Sequence, residues 1–250
     1  MQTRAPVLRP NIFSDVSSVS AGVSTRDGGV SGPPYDTLNL GRHVGDDPSS
    51  VEENRRRFCA ALDCDPAWLA TAGQVHGATV QVIDAPRHEP FCDGLVTTTP
   101  ELLLAIATAD CAAVLLADSD NGVAGACHAG WRGTVAGIVP RTIDTMTELG
   151  ASPDTLRAYV GPCISCPAFE VGPEVATHFD DAVVHRKDDW DRPHVDLKAS
   201  LRYQLDDAGL APSAIEVSDH CTFSDSDTFF SHRAAEDTTG RMFGAIVLRH

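Results

Sequence analysis

Three apolar runs between residues 102 and 129 predict the strands around which the chain is organised. The run at 102–107 is too short to cross a membrane and has the length of a buried strand. The runs at 114–117 and 123–127 are separated by Asp-Ser-Asp-Asn-Gly at 118–122, a dense turn signal. The pattern therefore predicts a buried strand followed by a β-hairpin.

The predicted hairpin brings a cysteine and a histidine to the same end. Cys111 precedes its first strand and His128 follows its second. If the two residues pair directly, the turn is centred between Ser119 and Asp120. A turn centred on Asp120-Asn121 or Asn121-Gly122 would shift the pairing by a few residues. Directly opposed side chains share one face of the sheet. Such a pair serves as metal ligands or as nucleophile and base. A buried cysteine beside a structural histidine is the alternative, and the glycine-rich residues 129–133 favour a site.

The remaining periodicity predicts further strands and three helices. Strands are expected at 16–23, at 72–83 with Val75, Val80 and Val82 as core positions, and in the last part of 239–248. Helices are expected at 51–62, 134–149 and 195–208, the first after a capping box of Ser50 and Glu53. The arginines at 55–57 are expected on its solvated face. Gly150 would follow the second helix, and Pro140 would kink it or mark its true first turn.

Composition narrows the class of protein. A chain of 250 residues with 42% hydrophobic residues and no visible repeat or linker favours one globular domain. A formal charge of −16 argues against a nucleic-acid binder. No signal peptide or 18-residue apolar segment is visible, so cytoplasm without membrane contact is the expectation, and the eight scattered cysteines are expected to be reduced. Lysine occurs only at positions 187 and 198, so some arginines are candidates for binding an anionic substrate, with surface solubility as the alternative.

Other residues are candidates for chemistry. His76, beside Gly77, is by itself a structural histidine, but with Cys111 and His128 it makes a set of three. Asp93 precedes a glycine at a turn. The junction at 130–133 could bind an anion through helix amides, reinforced by Arg132. The CxxC at 163–166 offers two of the four ligands that a structural zinc site needs, and residues 220–221 could supply the other two. Two buried or incidental thiols are the favoured interpretation.

Several short motifs carry a resemblance along nearly the whole chain. They are Gln74-Val-His-Gly77, Asp110-Cys111, His128-Ala-Gly-Trp-Arg-Gly133, Gly161-Pro-Cys-Ile164, Phe169-Glu-Val-Gly172, Thr239-Gly-Arg241, and the segments 24–31 and 38–46. In this order they resemble the bacterial laccase-domain family. Its members have been called polyphenol oxidases, purine nucleoside phosphorylases and peptidoglycan editing factors.

The resemblance implies a fold, a metal and an activity. The implied fold is α/β (α+β), a single layered domain over residues 1–250 with mixed sheets packed between helices in an α/β/β/α-like arrangement. The implied metal, usually assigned to zinc, is held by His76, Cys111 and His128. The implied activities are phosphorolysis of adenosine, inosine, guanosine and methylthioadenosine, and deamination of adenosine. The implied partners are purine nucleosides and phosphate, and the expected state is a monomer or small homo-oligomer.

Two segments depart from the family pattern. Ser231-His-Arg-Ala234 stands where the family tends to have Ser-Tyr-Arg-Arg, which bears on substrate preference more than on the metal. Pro167-Ala168 displaces the second cysteine of a pair that precedes Phe169.

The donor types favour zinc over copper. Two imidazoles and a thiolate leave a fourth tetrahedral position open, as in catalytic zinc sites, and the chain has no His-x-His motif of the kind that multicopper oxidases need. Water activated there would attack adenine C6, with Asp93 as proton carrier and Asp110 as second choice. The candidates for binding phosphate are four arginines, Arg42, Arg132, Arg233 and Arg241. The family-like segment 38–46 adds two further substrate-binding candidates, Asn39 and His43.

Three hypotheses follow. The first is the zinc purine nucleoside enzyme. The second is a cysteine hydrolase that edits aberrant cell-wall precursors, with Cys111 as nucleophile, His128 as base and His76 orienting the pair. The third is a non-enzymatic module whose metal only stabilises the fold. The historical name, copper polyphenol oxidase, is disfavoured by ligand count.

Overall fold

The structure is a computed structural model that describes residues 5–235 and 238–250. Its strands are β1 (Val7–Leu8), β2 (Val19–Ser24), β3 (Leu69–Ala72), β4 (Val80–Val82), β5 (His88–Glu89), β6 (Gly94–Thr97), β7 (Leu103–Thr108), β8 (Ala112–Asp118), β9 (Val123–Ala129), β10 (Arg157–Val160), β11 (Val184–His185), β12 (His194–Val195), β13 (Ile215–Val217) and β14 (Met242–Leu248). Its helices are α1 (Pro48–Ala61), α2 (Trp131–Val135), α3 (Ile138–Glu148), α4 (Pro173–Ala176) and α5 (Leu197–Asp207). None of the described helices is long and apolar enough to cross a membrane.

Most strands belong to two mixed six-stranded sheets. The first has the order β1-β2-β14-β7-β3-β5, and the second has the order β13-β10-β8-β9-β6-β4. Strands β11 and β12 form a separate antiparallel pair. Each large sheet combines antiparallel pairs, such as β8 with β9, and parallel pairs, such as β3 with β7.

The two sheets pack face to face and are covered by helices on their outer faces. The layer between them contains Val23 and Ile106 from the first sheet and Leu115 and Ala126 from the second. Helix α1 covers the outer face of the first sheet, and α3 and α5 cover that of the second. The predicted α+β fold with an α/β/β/α arrangement of layers is confirmed.

The central strands follow the apolar runs of the sequence. Strands β7, β8 and β9 occupy the three runs, and β14 is the predicted closing strand. All residues of β8, β9 and β14 are buried, because these strands are covered on both faces. Helix α5 lies within the predicted range 195–208, and β2 overlaps 16–23.

The strand predicted at 72–83 is wrong. Strand β3 ends at Ala72 and β4 begins at Val80, with a loop between them. Val75 is 53% exposed and Val82 46%, so neither is a core position, and Val80 is only partly buried. Gln74 and His76 have positive φ angles, which the alternating pattern of valines did not reveal.

The helix predicted at 134–149 is two helices. Gly137 separates α2 from α3 with a φ of 77°, a left-handed conformation that glycine adopts without steric cost. Pro140 therefore lies in the first turn of α3, where its missing amide hydrogen is not needed. Gly150 follows the helix with a φ of 101°, as predicted.

Helix α1 begins earlier than predicted and has a different cap. Asp47 is the N-cap residue and accepts a 2.9 Å hydrogen bond from the Ser50 amide, with Pro48 next to it. Glu53 pairs with arginines instead of closing a capping box with Ser50. Arg55 is buried, so the arginines at 55–57 do not all lie on a solvated face.

Candidate metal centre

The hairpin of β8 and β9 places Cys111 and His128 at the same end, as predicted. The register pairs Ala113 with His128, so Cys111 is not directly opposite the histidine. The turn is centred between Asp120 and Asn121, one of the alternatives that the sequence left open. Side chains alternate along a strand, and Cys111 lies two residues before Ala113, the partner of His128. Cys111 is therefore on the same face as His128.

His76 reaches the pair from the loop after β3. The Asp93 carboxylate shapes this loop by accepting hydrogen bonds from the amides of Val75 (3.1 Å), His76 (2.9 Å) and Gly77 (2.8 Å). The same carboxylate lies 2.9 Å from His128 Nδ1. One buried acid therefore positions both histidines, and it leaves His128 Nε2 free for a ligand.

The donor atoms of His76, Cys111 and His128 lie within 4.8 Å of one another. Within residues 5–235 and 238–250, they are the only cluster of three or more such side chains that could hold a metal ion. The two imidazole rings are nearly perpendicular, with centroids 4.8 Å apart. Zinc binds nitrogen and sulfur ligands at about 2.0–2.3 Å, so the three donors are near the spacing at which they could share one ion.

Gly130 gives the thiol its space. A Cβ atom at this position would lie 2.7 Å from Cys111 Sγ and 3.6 Å from His76 Cδ2. The glycine that follows β9 in the chain is therefore required by the close approach of the ligands, and a side chain there would displace the sulfur.

At neutral pH the metal-free cluster favours a thiolate at Cys111 and a protonated ring at His128, whose proton metal binding would displace. Burial alone would raise the pKa of Cys111, but hydrogen bonds and charge from His128 and His76 outweigh it and lower the pKa to about 6. Burial would likewise lower the pKa of His128, whereas Asp93 and Cys111 raise it to about 9. A thiolate at neutral pH is the form that metals bind.

In metal-free protein, Cys111 is expected to be alkylated by iodoacetamide with a pH midpoint near 6 instead of the ordinary value of about 8.5. The rate should be nearly maximal at pH 7.5 and fall as the pH drops below 6, because the thiolate is lost. Peptide mapping by mass spectrometry measures the label at each cysteine. Cys127 and Cys163, whose pKa burial raises to about 12, serve as unreactive internal controls.

Zinc should protect Cys111 from this labelling. Cys221 is the necessary comparison, because hydrogen bonds from Ser224 and Ser165 lower its pKa against the opposing effect of burial, and it lies outside the metal cluster. A midpoint for Cys111 near 8.5, or equal protection of Cys221 by zinc, would contradict the described geometry.

The metal centre opens into a cavity of about 580 Å³. All three metal-ligand candidates line it, as do four of the other predicted site residues: Arg42, His43, Arg233 and Arg241. Asp110, the second choice for proton transfer, also lines the cavity. The structure therefore brings together most of the side chains that the sequence singled out.

Three predicted site residues do not line the cavity. Asn39 is buried beneath it, where its Oδ1 accepts hydrogen bonds from the amides of Gly41 and Arg241. Arg132 is exposed, with its guanidinium over the Trp131 ring, so its predicted substrate contact is not supported. Asp93 lies behind His128 with no exposed surface, which makes it a positioning residue and not a proton carrier.

Asp110, Arg233 and Arg241 line the same cavity as the three candidate ligands. Asp110 accepts hydrogen bonds from the Thr222 hydroxyl (2.6 Å) and the Arg233 amide (2.7 Å). Burial lowers the pKa of Arg241, while Cys111 and Asp110 oppose that shift. Arg241 is thus held close enough to feel the charge of the thiolate.

The CxxC does not form a second metal site among the described residues. Cys163 is buried, Cys166 is half-buried, and no group of three donors includes either. His220 contacts the Asp225 carboxylate at 3.1 Å through Nδ1, so 220–221 does not complete a zinc site.

Sequence reasoning missed two basic side chains of the cavity, Arg55 and His88. Arg55 lies in a run of three arginines on α1, and His88 lies in a short polar strand, so neither stands out by spacing. Their role depends on packing between distant segments, as in the bonds of Arg55 to the Leu40 carbonyl.

The fold and the site define a layered α+β protein in which three candidate metal ligands line a cavity. A family model described as "Multi-copper polyphenol oxidoreductase laccase" matches residues 20–249. The chain belongs to this family, which confirms the resemblance seen in its motifs.

Curated relatives match over most of their length. The chain is 42% identical over 228 residues to a purine nucleoside phosphorylase of Mycobacterium tuberculosis strain H37Rv, covering 90% of this chain and 89% of the relative. It is 41% identical over 236 residues to a purine nucleoside phosphorylase of Escherichia coli strain K12, covering 92% and 94%.

A solved structure supports the same family. The crystal structure of YlmD from Geobacillus stearothermophilus is 32% identical, with a TM-score of 0.91, and the match covers 100% of this chain and 98% of that one. The arrangement of layers is therefore shared along the whole chain.

Proposed function

We propose that the chain is a purine nucleoside phosphorylase whose His76, Cys111 and His128 hold zinc. The observation that carries the proposal is the cavity, which joins this donor set to several arginines and histidines in a protein of net charge −16. Its volume of about 580 Å³ is in the range of small-molecule sites. The names of relatives at 41–42% identity support the same activity.

The choice of zinc over copper follows from the side chains around the three donors. A blue-copper site adds a weak axial ligand, usually methionine or glutamine, to two histidines and a cysteine. No methionine lines the cavity within the described ranges. Gln74 lines it, but its amide is used in two hydrogen bonds with the backbone of Ala107, at 2.6 and 2.8 Å.

The residues of the cavity suit phosphorolysis. Arg241 and Arg233 can stabilise negative charge on phosphate or on the departing purine, and such charge is stabilised more strongly in a partly enclosed site than in water. When bound, zinc supplies a Lewis acid that polarises the substrate or activates water at neutral pH. Asp93 holds the His128 ring in place throughout.

We propose adenosine deamination as a second reaction of the same cavity. Deamination needs a group that moves a proton between water and the leaving amine. Asp110 lines the cavity and Asp93 does not, so Asp110 takes this role.

The expected substrates for phosphorolysis are adenosine, inosine, guanosine and methylthioadenosine. The protein is expected to act in the cytoplasm as a single domain over residues 1–250, in the form of a monomer or a small homo-oligomer.

The experiment is an incubation of purified protein with adenosine, inosine, guanosine or methylthioadenosine, with and without phosphate, followed by chromatography of the products. Adenine and ribose 1-phosphate that appear only with phosphate support phosphorylase activity, and inosine without phosphate supports deamination. A protein that leaves all four nucleosides unchanged under both conditions would overturn the proposal.

One observation favours a second candidate, the cysteine hydrolase. Cys111, His128 and Asp93 stand in the order of a nucleophile, its base and an orienting carboxylate. In that case the metal-free protein would hydrolyse a cell-wall precursor that carries an aberrant amino acid. Inhibition of that hydrolysis by added zinc would separate it from the zinc-dependent reaction.

A further inference from the structure

The cavity contains a group of basic side chains that the metal centre does not explain. We call Arg42, His43, Arg55 and His88 the cationic cluster, and all four line the cavity. The rings of His43 and His88 have centroids 5.9 Å apart. Thr71 Oγ1 lies 2.9 Å from His88 Nδ1, which fixes the orientation of that ring.

The side chains of the cluster act on one another. Burial and the neighbouring His43, Arg55 and Arg42 lower the pKa of His88, so its ring is neutral at neutral pH. The charges that act on Arg241 are instead those of Cys111, Asp110 and Tyr35. The cavity thus has two basic regions, one beside the metal ligands and one formed by the cationic cluster.

Arg55 is the buried base of the cluster. It is 8% exposed, and its Nε and Nη2 donate hydrogen bonds of 2.9 and 2.8 Å to the Leu40 carbonyl. Its guanidinium carbon lies 4.9 Å from the centre of the Phe243 ring. Burial and Arg42 lower its pKa to about 10, so it stays charged at neutral pH.

Arg55 has no carboxylate within ion-pair distance among residues 5–235 and 238–250, and Glu52 acts on its charge only from further away. Arg42 has one, since its Nη2 lies 2.7 Å from Glu52 Oε2 at the exposed edge. Asp110 is the one carboxylate among the described lining residues, and both its oxygens accept hydrogen bonds elsewhere. A buried charge without a counter-charge is costly, so an anion that enters the cavity would be stabilised beside Arg55.

We propose that the cationic cluster is the subsite for a phosphate group, with Arg55 at its base and the two imidazoles on its walls. The choice of phosphate among anions rests on the proposed function. Guanidinium and imidazole groups together offer several N–H donors to a tetrahedral oxyanion, and charge-assisted bonds of this kind are strong. The group is either inorganic phosphate as co-substrate or a phosphate ester carried by the nucleoside.

The test compares the affinities of three probes, inorganic phosphate, adenosine 5′-monophosphate and adenosine, by calorimetry on the zinc-loaded full chain. The variant is the double substitution His43→Gln and His88→Gln, because both side chains are exposed and Arg55 is part of the packing of α1. The matched control is Arg56→Met, on the same helix but outside the cavity and paired with Glu53 at 2.7 Å. Thermal unfolding verifies that both variants are folded.

The double variant is expected to bind phosphate at least about tenfold more weakly than wild type, while Arg56→Met stays within about twofold. If the double variant loses affinity only for inorganic phosphate, the subsite binds the co-substrate. If it loses affinity only for adenosine 5′-monophosphate, the subsite binds a phosphate ester. Unchanged affinity of the double variant for both probes would overturn the subsite. Phosphate binding that depends on the cluster in a protein without phosphorolysis would remove the proposed function and keep the subsite.

Discussion

Replacing Cys111 by serine is expected to remove the bound metal and to slow phosphorolysis by about a thousandfold or more. The thiolate is one of three donors, and a serine hydroxyl stays protonated at neutral pH and is a poor ligand. The remaining His76 and His128 lack the charge that the thiolate supplies. Metal analysis by mass spectrometry and initial rates with adenosine and phosphate measure the two effects.

Cys166→Ser is the matched control for this substitution. Cys166 is equally half-buried but does not line the cavity, so metal content and rate should stay at the wild-type level. Loss of activity in Cys111→Ser with full metal content would favour the cysteine hydrolase. A loss of stability alone, with activity kept, would favour a structural metal.

The second large effect is expected from Asp93→Asn. Asp93 Oδ1 faces the His76 amide and His128 Nδ1, and Oδ2 faces the amides of Val75 and Gly77. In either orientation of an asparagine amide, its NH2 group would face N–H groups of the backbone or of His128, which are themselves donors. The free energy of unfolding should fall by about 3 kcal/mol, and metal affinity by about 10–100-fold.

The measurements are urea unfolding of the metal-free protein and competition with a zinc chelator. Asp120→Asn is the control, because Asp120 is exposed at the hairpin turn, where asparagine is equally favourable. If Asp93→Asn kept the stability and the zinc affinity of this control, Asp93 would have no role in positioning the His76 loop.

The pairing of Cys111 with His128 could be predicted because a hairpin is defined by local features. Two apolar runs and one turn fix which ends meet, and only the register, with Ala113 opposite His128, needed the structure. His76 could be predicted from its chemistry and the family motif. Its position in a loop could not be, because Asp93 creates that loop through bonds between residues 16–18 apart in sequence.

The basic residues of the cavity show where local patterns stop being informative. Arg132 stands beside a glycine-rich junction and looks well placed in sequence, yet it lies on Trp131 at the surface. Arg55 looks like a solvated residue, yet the Leu40 carbonyl and the Phe243 ring hold it inside. The position of Arg55 depends on contacts between α1, β14 and the loop that contains Leu40, which no single stretch of sequence encodes.

The most direct test of the central claim is a zinc titration of metal-free protein with the rate of adenine release as readout. Activity in the presence of phosphate is expected to rise linearly with bound zinc and to stop at one ion per chain. Pre-alkylation of Cys111 is expected to remove both zinc binding and activity. Full phosphorolysis by metal-free protein would show that the reaction does not need zinc.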